Sequence, residues 1–393
     1  MQRARLKTIY SMMQAFDTRI SKALESRNTK GLNRSLLNID GGNRTQLVYQ
    51  GKSYLNFSSN DYLGLASDKK VTDAWCQGLQ KYGNGSGASP LVTGHSSAHS
   101  ELEQTLCQWL GFERAILFNS GFSANQAMLF ALLDKDDLLL QDKLNHASLI
   151  EAGMLSPAKM KRFKHNDVAH LASLVEGNTL VVTEGVFSMD GDLAPLSEMR
   201  AATVDKAWLA VDDAHGIGVL GKDGKGSCDY AGVRPELLVV TFGKAFGMSG
   251  AAIMCSREVG DYLTQFARHH VYSTAMPPAQ AVALTKAATM IQQQSWRREK
   301  LMELSDYYHS LLGSEQGYRA TQTPIKPFIL GCSDKAVQVA EQLKNAGFWL
   351  TAIRPPTVAN GSARLRVTLS VDHDKTHLRA FAHQLKKALK GAG

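Results

Sequence analysis

The sequence predicts an α/β fold built on a mostly parallel sheet, followed by a small α+β domain at the carboxyl end. Short apolar runs recur at near-regular spacing, and each ends in a polar or glycine-rich turn. Helix-patterned segments lie between them, and the pattern changes after about residue 290. Continuous apolar strands between helices are typical of a buried parallel sheet with helices on both faces. Five such runs are present: Ala115–Phe118, Leu138–Leu140, Leu180–Thr183, Ala207–Val211 and Leu237–Val240.

The chain before residue 60 is predicted to be an arm. Residues 14–30 have helical spacing, with Phe16, Ile20 and Leu24 on one stripe. A loosely alternating segment over 46–57 indicates a short hairpin. We therefore predict an arm with a hairpin over residues 1–59 and a large α/β domain over residues 60–290.

Residues 291–393 are predicted to form the small α+β domain. The expected helices are 296–312, 335–346 and 374–389, and the expected strands are 325–330, 349–353 and 365–369.

Composition excludes several classes of partner. No apolar run approaches the roughly 18 residues that a membrane span needs, so we expect no membrane partner. The net charge of +8 comes with interspersed acidic residues and no recognition motif, which favours an anionic substrate over nucleic acid. The five cysteines have neither metal-site nor redox-pair spacing. We therefore predict a cytoplasmic protein without a metal site.

Lys244 is the first candidate for chemistry. It follows the apolar run Leu237–Val240 and then Thr241, Phe242 and Gly243. Ligands bind at the carboxyl edge of an open parallel sheet, and a partly desolvated lysine there can form a Schiff base with an aldehyde. Pyridoxal 5'-phosphate is the aldehyde cofactor that most often uses such a lysine. The alternative is an ordinary surface lysine. This alternative is weakened by the candidate residues for the cofactor's phosphate, ring nitrogen and ring face.

A phosphate site is predicted at Ser120–Ser123. This turn follows a strand and opens a helix, whose free N–H groups and dipole favour an anion. Thr241 can add a hydroxyl. An ordinary helix N-cap also explains a serine at Ser120 or Ser123, so the turn alone is a weak signal.

An acid for the cofactor's ring nitrogen is predicted at Asp212 or Asp213. An apolar strand ends in these two residues, and strand alternation sends one of them into the cleft and the other elsewhere. His215 follows and could bond the ring hydroxyl. A metal pair or a solvated turn is the alternative, although no further ligands complete a metal set.

His146 is the candidate flat partner for the cofactor ring. It follows the run Leu138–Leu140 and so lies at the same sheet edge. A purely structural histidine is the alternative. The glycine-rich run 83–89 is not a dinucleotide fingerprint, because no strand leads into it and its spacing is wrong.

With these residues in view, the chain resembles the α-oxoamine synthases, the acyl-thioester-condensing branch of the fold-type I pyridoxal phosphate enzymes. The similarity extends from about residue 23 to the carboxyl end. It is carried by six motifs: Tyr54–Leu65, Val182–Asp192, Asp212–Gly216, Thr241–Gly247, Thr351–Thr357 and Arg364–Thr368.

The resemblance implies a seven-stranded, mostly parallel sheet and a role for each candidate residue. Lys244 would be the Schiff-base lysine, Asp212 the partner of the ring nitrogen, and His146 the stacking residue. The other implied cofactor contacts are Gly121, Phe122, Ser188, His215 and Thr241. The implied substrate contacts are Arg34, His146, Thr357 and Arg366.

The resemblance also implies a reaction and an assembly. The reaction joins L-alanine to a pimeloyl thioester of coenzyme A or acyl carrier protein, with loss of carbon dioxide, as a step in biotin biosynthesis. The assembly is a homodimer with its active site at the subunit interface. The alternatives are a related synthase that joins glycine to acetyl coenzyme A (glycine C-acetyltransferase), an aminotransferase of the same fold, and a basic binding protein without catalysis.

Overall fold

The computed structural model describes residues 2–42 and 44–391, and only the backbone of residues 2–14. The chain divides into two compact units, Met1–Asp40 with Val48–Lys52, and Gly41–Leu47 with Ser53–Gly393. The boundaries predicted at residues 60 and 291 stay predictions.

The first unit is dominated by one long helix, α1 (Gln2–Thr29). Its Phe16, Ile20 and Leu24 are each more than half exposed. The side chains before Ala15, on which an amphipathic start of the chain would depend, lie outside the described residues. The segment predicted as a hairpin contains strands β1 (Gln46–Tyr49) and β2 (Lys52–Asn56).

Seven strands form the main sheet of the second unit. They are β3 (Arg114–Phe118), β4 (Leu138–Asp142), β5 (Lys159–Phe163), β6 (Thr179–Glu184), β7 (Ala207–Asp212), β8 (Leu237–Thr241) and β9 (Ala251–Cys255). Their order is β3-β9-β8-β7-β6-β4-β5, and only β9 runs antiparallel to its neighbours. The predicted seven-stranded, mostly parallel sheet is confirmed.

Ten helices connect and cover these strands in the described part of the second unit. They are α2 (Lys69–Tyr82), α3 (Ser97–Leu110), α4 (Gly121–Leu132), α5 (Ala147–Leu155), α6 (Val168–Leu174), α7 (Leu196–Thr203), α8 (Ser227–Tyr230), α9 (Arg257–Phe266), α10 (Arg268–Val271) and α11 (Pro278–Gln293).

Successive residues of the central strands enter two different hydrophobic cores. In β8, Leu238 and Val240 pack in one core, whereas Leu237 and Val239 pack in the other. Both faces of the sheet are therefore buried, which explains why these strands are continuous apolar runs rather than alternating ones. Two strands lacked that signal: β5 is a partly exposed edge strand rich in lysine and arginine, and β9 begins with two alanines.

The carboxyl-terminal part contains α12 (Trp296–Leu312), β10 (Ile325–Gly331), α13 (Ser333–Asn345), β11 (Phe348–Trp349), β12 (Thr351–Ile353), β13 (Ala363–Thr368) and α14 (Lys375–Gly391). Strand β13 lies between β10 and β12 and is antiparallel to both. The single strand predicted over 349–353 is divided, because β11 pairs with β2 while β12 pairs with β13. In the part of the chain that the structure describes, no helix has the length and apolar character to cross a membrane.

Candidate active site

The carboxyl ends of β6, β7 and β8 surround a cavity of about 290 Å³ that brings most of the predicted residues together. Its lining includes Gly121, Phe122, His146, Asp212, His215, Thr241 and Lys244. These residues come from four separate parts of the chain. They meet because parallel strands all end at one edge of the sheet. We refer to this space as the lysine cavity.

Lys244 is held in the lysine cavity by its apolar neighbours. Phe242, Ala245 and Phe246 are fully buried in the core beside the sheet, so the short loop after β8 is anchored on both sides of the lysine. At Gly247 the backbone has a φ of +70°, and a Cβ would lie 2.2 Å from the backbone nitrogen of Ala66. Only glycine fits this turn.

Burial lowers the pKa of the Lys244 ammonium group from its ordinary value, although the carboxyl groups of Asp212 and Glu184 partly oppose this. A lowered pKa increases the fraction of neutral amine near pH 7, which is the form that attacks a carbonyl or accepts a proton.

Asp212 and His146 are linked through a buried asparagine that the sequence did not single out. The Asn125 side-chain nitrogen donates to Asp212 Oδ2 at 2.7 Å and to Ser148 Oγ at 2.9 Å. The Ser148 hydroxyl lies 2.8 Å from His146 Nδ1. Asp212 Oδ1 accepts from the Ala214 backbone N–H at 3.0 Å. The carboxylate and the imidazole are thus fixed by one hydrogen-bonded chain.

His146 has the structural role that the sequence left open, and it also lines the lysine cavity. Its Nδ1 accepts a hydrogen bond from the Ser148 backbone N–H at the start of α5, so the ring caps that helix. The same ring lines the lysine cavity. Burial lowers the pKa of His146; the charge of Asp212 opposes this, and the charge of Lys244 adds to it. The neutral imidazole is therefore favoured.

Asp213 points away from the lysine cavity. Its carboxylate accepts from the Ser227 backbone N–H at 2.8 Å and from the Ser227 hydroxyl at 2.5 Å. A Cβ at Gly226 would lie 1.9 Å from this carboxylate, so the backbone is packed directly against it. Burial raises the pKa of Asp213 to about 7. Of the two adjacent aspartates, only Asp212 faces the cavity.

His215 lies at the cavity wall and pairs with a buried tyrosine. Its Nδ1 is 2.7 Å from the Tyr62 hydroxyl. Burial lowers the pKa of His215 well below its ordinary value, and the cations of Lys244 and Arg366 lower it further. Burial raises the pKa of Tyr62 to about 12. Both groups are therefore neutral at pH 7. Because Tyr62 donates its one proton to Asn60, His215 Nδ1–H donates to the tyrosine oxygen, and His215 Nε2 is left as an acceptor for a ligand.

Arg366 is connected to the same wall through Asn60. Both terminal nitrogens of Arg366 donate to Asn60 Oδ1 at 3.1 Å, and Nε donates to the Ser188 carbonyl at 2.6 Å. The Tyr62 hydroxyl donates to the same Asn60 oxygen at 3.3 Å. A guanidinium group has five N–H donors, so two remain for another acceptor.

Glu184 is a second carboxyl group in the lysine cavity. It lies beside Asp212 in the register of β6 and β7 and is 4% exposed. Burial raises its pKa well above the ordinary value, and the neighbouring Asp212 charge adds to this, while Lys244 and a hydrogen bond from the His146 backbone N–H oppose it. Two adjacent carboxyl groups rarely both ionise in a buried site, so Glu184 is the neutral one.

The lysine cavity fits pyridoxal phosphate. Two buried polar atoms that line it, Thr241 Oγ1 and Asn125 Oδ1, have no hydrogen-bond partner among the described residues. A Cβ at Gly121 would lie 2.7 Å from Thr241 Cγ2, so glycine keeps the start of α4 open next to that hydroxyl. Ser120, by contrast, caps α4 by accepting from the Ser123 backbone N–H at 3.1 Å. The free threonine hydroxyl and the helix N–H groups suit a phosphate.

Ser188 and Thr357 line a second cavity of about 450 Å³, which also includes Phe187, Pro327 and Ile329. The carbonyl of Ser188 accepts from Arg366 Nε, which links this second cavity to the arginine. We refer to it as the serine cavity. Arg34 is exposed and belongs to the first unit, whereas Phe122 lines the lysine cavity with a partly exposed ring.

Other features of the described residues do not compete with this site. A larger cavity of about 610 Å³ lies at the opposite, amino ends of the strands and includes Trp208 and Glu236, but none of the predicted residues. No group of three or more histidine, cysteine, aspartate or glutamate side chains in the described part of the chain could hold a metal ion.

Sequence reasoning gave no role to Asn60, Tyr62, Asn125 or Glu184. Asn60, Tyr62 and Glu184 occur inside motifs that carried the resemblance, so those motifs could have indicated them. Asn125 lies in the helix after the predicted phosphate turn and had no signal of its own. It is one of three polar residues, with Ser123 and Gln126, in the first half of α4.

Comparison with known proteins gives a consistent result. The family model described as aminotransferase class I and II matches residues 52–385. A protein of Vibrio parahaemolyticus named 8-amino-7-oxononanoate synthase is 63% identical over 380 residues, covering 96% of this chain and 99% of the relative. A Vibrio cholerae protein of the same name is 61% identical over 381 residues, covering 96% and 99%.

Solved structures agree with the sequence relatives. A serine palmitoyltransferase of Sphingomonas wittichii superimposes with a TM-score of 0.89 at 28% identity, covering 96% of this chain and 98% of that one. An 8-amino-7-oxononanoate synthase of Francisella tularensis superimposes with a TM-score of 0.77 at 29% identity, covering 86% and 98%.

Proposed function

The chain belongs to the 8-amino-7-oxononanoate synthases of the class I and II aminotransferase family, and on that premise we propose that it condenses L-alanine with a pimeloyl thioester. The products are 8-amino-7-oxononanoate, carbon dioxide and the free thiol, and the reaction belongs to biotin biosynthesis. The single observation that carries the proposal is the lysine cavity, in which Lys244, Asp212 and His146 converge.

Pyridoxal 5'-phosphate is the cofactor, and when bound it supplies an electron sink for the electron pair left on the substrate Cα. Lys244 would attach it covalently, Asp212 would keep its ring nitrogen protonated, and His146 would lie against its ring. Gly121, Thr241 and the amino end of α4 would hold its phosphate. His215 and Ser188 would serve the ring hydroxyl.

Lys244 is the proposed general base. Burial has lowered its pKa, so a neutral amine is available to take the Cα proton of alanine and return one after decarboxylation. The Asp212 carboxyl group is fixed by the Asn125 donor at 2.7 Å, and from that position it would hold a proton on a ring nitrogen.

Arg366 is the proposed carboxylate site for alanine. Its guanidinium group is 9% exposed and oriented by Asn60 and Ser188, with two N–H donors left. A preoriented guanidinium group can bind a carboxylate in a bidentate way and so fix which Cα bond is broken. The serine cavity, with Thr357, is the proposed space for the pimeloyl chain, and Arg34 is a further proposed substrate contact.

The proposal includes a homodimer with the active site at the subunit interface and a cytoplasmic location. The exposed ring of Tyr272 and the adjacent segment 273–274 are a surface that a second subunit could cover. The free cysteines among the described residues favour a reducing compartment.

The test is product analysis by mass spectrometry, with alanine and pimeloyl coenzyme A and, in parallel, with glycine and acetyl coenzyme A. We expect 8-amino-7-oxononanoate from the first pair. Product from the second pair alone would instead indicate glycine C-acetyltransferase.

Lys244→Ala should abolish turnover, whereas Lys70→Ala, on the exposed face of α2, should not. Borohydride reduction of the cofactor-loaded protein followed by peptide mapping should place the label on Lys244. A label elsewhere would contradict the assigned role of this lysine.

A further inference from the structure

His165 forms a bridge between two carboxylates just after β5. Its Nδ1 lies 3.0 Å from Asp142 Oδ1, and its Nε2 lies 2.8 Å from Asp192 Oδ2. A carboxylate can only accept, and a neutral imidazole has a single N–H. Both hydrogen bonds therefore form together only when both ring nitrogens carry a proton, which makes the ring a cation.

The surroundings of the ring favour that cation. Burial by itself would lower the pKa of His165, but the hydrogen bonds and charges of Asp142 and Asp192 outweigh burial and raise it to about 10. Asp142 is fully buried and also accepts from the backbone N–H groups of Leu144 and Asn166, at 2.8 and 2.9 Å. The His165 ring stands perpendicular to Phe187, with the centroids 4.4 Å apart.

The two carboxylates belong to segments that carry residues of the proposed site. Asp142 ends β4, and its bond to Leu144 shapes the turn that leads to His146. Asp192 closes the turn that carries Ser188, because the Phe187 backbone N–H donates to the Asp192 carbonyl at 3.0 Å. The Ser188 carbonyl in turn orients Arg366.

We propose that His165 is a positioning residue, a cationic link between Asp142 and Asp192 that fixes the His146 turn and the Ser188 turn, and through Ser188 the guanidinium group of Arg366. The proposal rests on the proposed function, because Arg366 is assigned there to the alanine carboxylate. It predicts that losing His165 weakens alanine binding more than it weakens cofactor binding, because Lys244 and Thr241 are not held by this link.

The charge of the link can be measured without turnover. In protein with ¹⁵N-labelled histidine, both His165 nitrogens should have shifts of protonated nitrogens from pH 6 to about pH 9, with the signals assigned by their loss in His165→Gln. The charged groups bonded to the ring are Asp142 and Asp192, and Asp190, Arg319 and Arg364 line the same cavity. Asp192→Asn should therefore lower the pH at which His165 titrates by about one unit or more. A neutral His165 ring at pH 8 in the unaltered protein would overturn the proposal.

The positioning effect is measured by kinetics and by spectral titration. His165→Gln should raise the KM for alanine at least tenfold, while the cofactor dissociation constant changes less than threefold and kcat falls less than KM rises. His383→Ala, an exposed histidine on α14, is the matched control and should change none of these values. Alanine binding unchanged in a folded His165→Gln protein would refute the proposal. If that variant does not fold, the nitrogen shifts of the unaltered protein decide.

The two hypotheses fail separately. If the unaltered protein forms no product from alanine, the proposed function is wrong, whereas the protonation of His165 is still measured. If His165 is neutral while product forms, the function stands and the charged link is wrong.

Discussion

Asp212 and Asp213 are adjacent, but replacing each by asparagine should have different effects. Asp213→Asn should raise the stability of the protein, whereas Asp212→Asn should lower its activity. Asp213→Asn is expected to stabilise the protein near pH 8. The pKa of Asp213 is raised from 3.8 to about 7, which is about 3 pKa units, and each unit corresponds to about 1.4 kcal/mol. The cost of ionising this buried carboxyl group is thus on the order of 4 kcal/mol.

The sign follows from proton binding. Between about pH 4 and pH 7 the folded state holds a proton on Asp213 and the unfolded state does not, so the free energy of unfolding falls as pH rises. Above pH 7 both states are ionised and the full cost is present. Asparagine removes this slope, and it keeps the contact because its oxygen can accept from the Ser227 backbone N–H while its amide donates to the Ser227 hydroxyl.

Urea unfolding at pH 5, 6, 7 and 8 measures the effect. The difference in unfolding free energy between Asp213→Asn and the unaltered protein should increase toward pH 8, up to about 4 kcal/mol. Asp212→Asn should show no such gain, and its activity should fall at least a hundredfold because a ring nitrogen would lose its charged partner. An unaltered pH slope in Asp213→Asn would refute the reasoning, as would full activity in Asp212→Asn.

Three further substitutions test the proposed cofactor and alanine sites. Gly121→Ala places a Cβ 2.7 Å from Thr241, so cofactor affinity should fall at least tenfold in a spectral titration. The control Gly85→Ala has open space around the new Cβ and should leave cofactor affinity unchanged. Glu184→Gln should retain kcat within about threefold, because burial already keeps this carboxyl group neutral, and a hundredfold loss would contradict that state. Arg366→Lys should raise the alanine KM about tenfold or more with a smaller change in kcat, because an ammonium group cannot reproduce the paired donors of a guanidinium group. An unchanged KM would argue against Arg366 as the carboxylate site.

Strands and site residues were predicted best where the pattern that indicates them lies within one strand and the turn after it. The five apolar runs all became strands, because a strand buried on both faces must be apolar at every position. Lys244 and the two aspartates could be picked out in the same way, since each lies within four residues of the end of such a run. The motifs that suggested the family are likewise contiguous. Strand β5 gave no such signal, because an edge strand exposes much of its surface and can carry charged residues.

The contacts between these segments depend on the packed fold. Asn125 donates to Asp212 across 87 residues of sequence, and Arg366 reaches Asn60 across 306. Such pairs lack a local pattern, because their geometry arises only when the strands pack side by side. The same holds for Asp213, whose direction away from the lysine cavity depends on Ser227, and for His165, whose charge depends on two carboxylates that folding brings to its two nitrogens. Local sequence patterns therefore specify which residue types reach the sheet edge, whereas packing specifies their partners and, through the partners, their protonation.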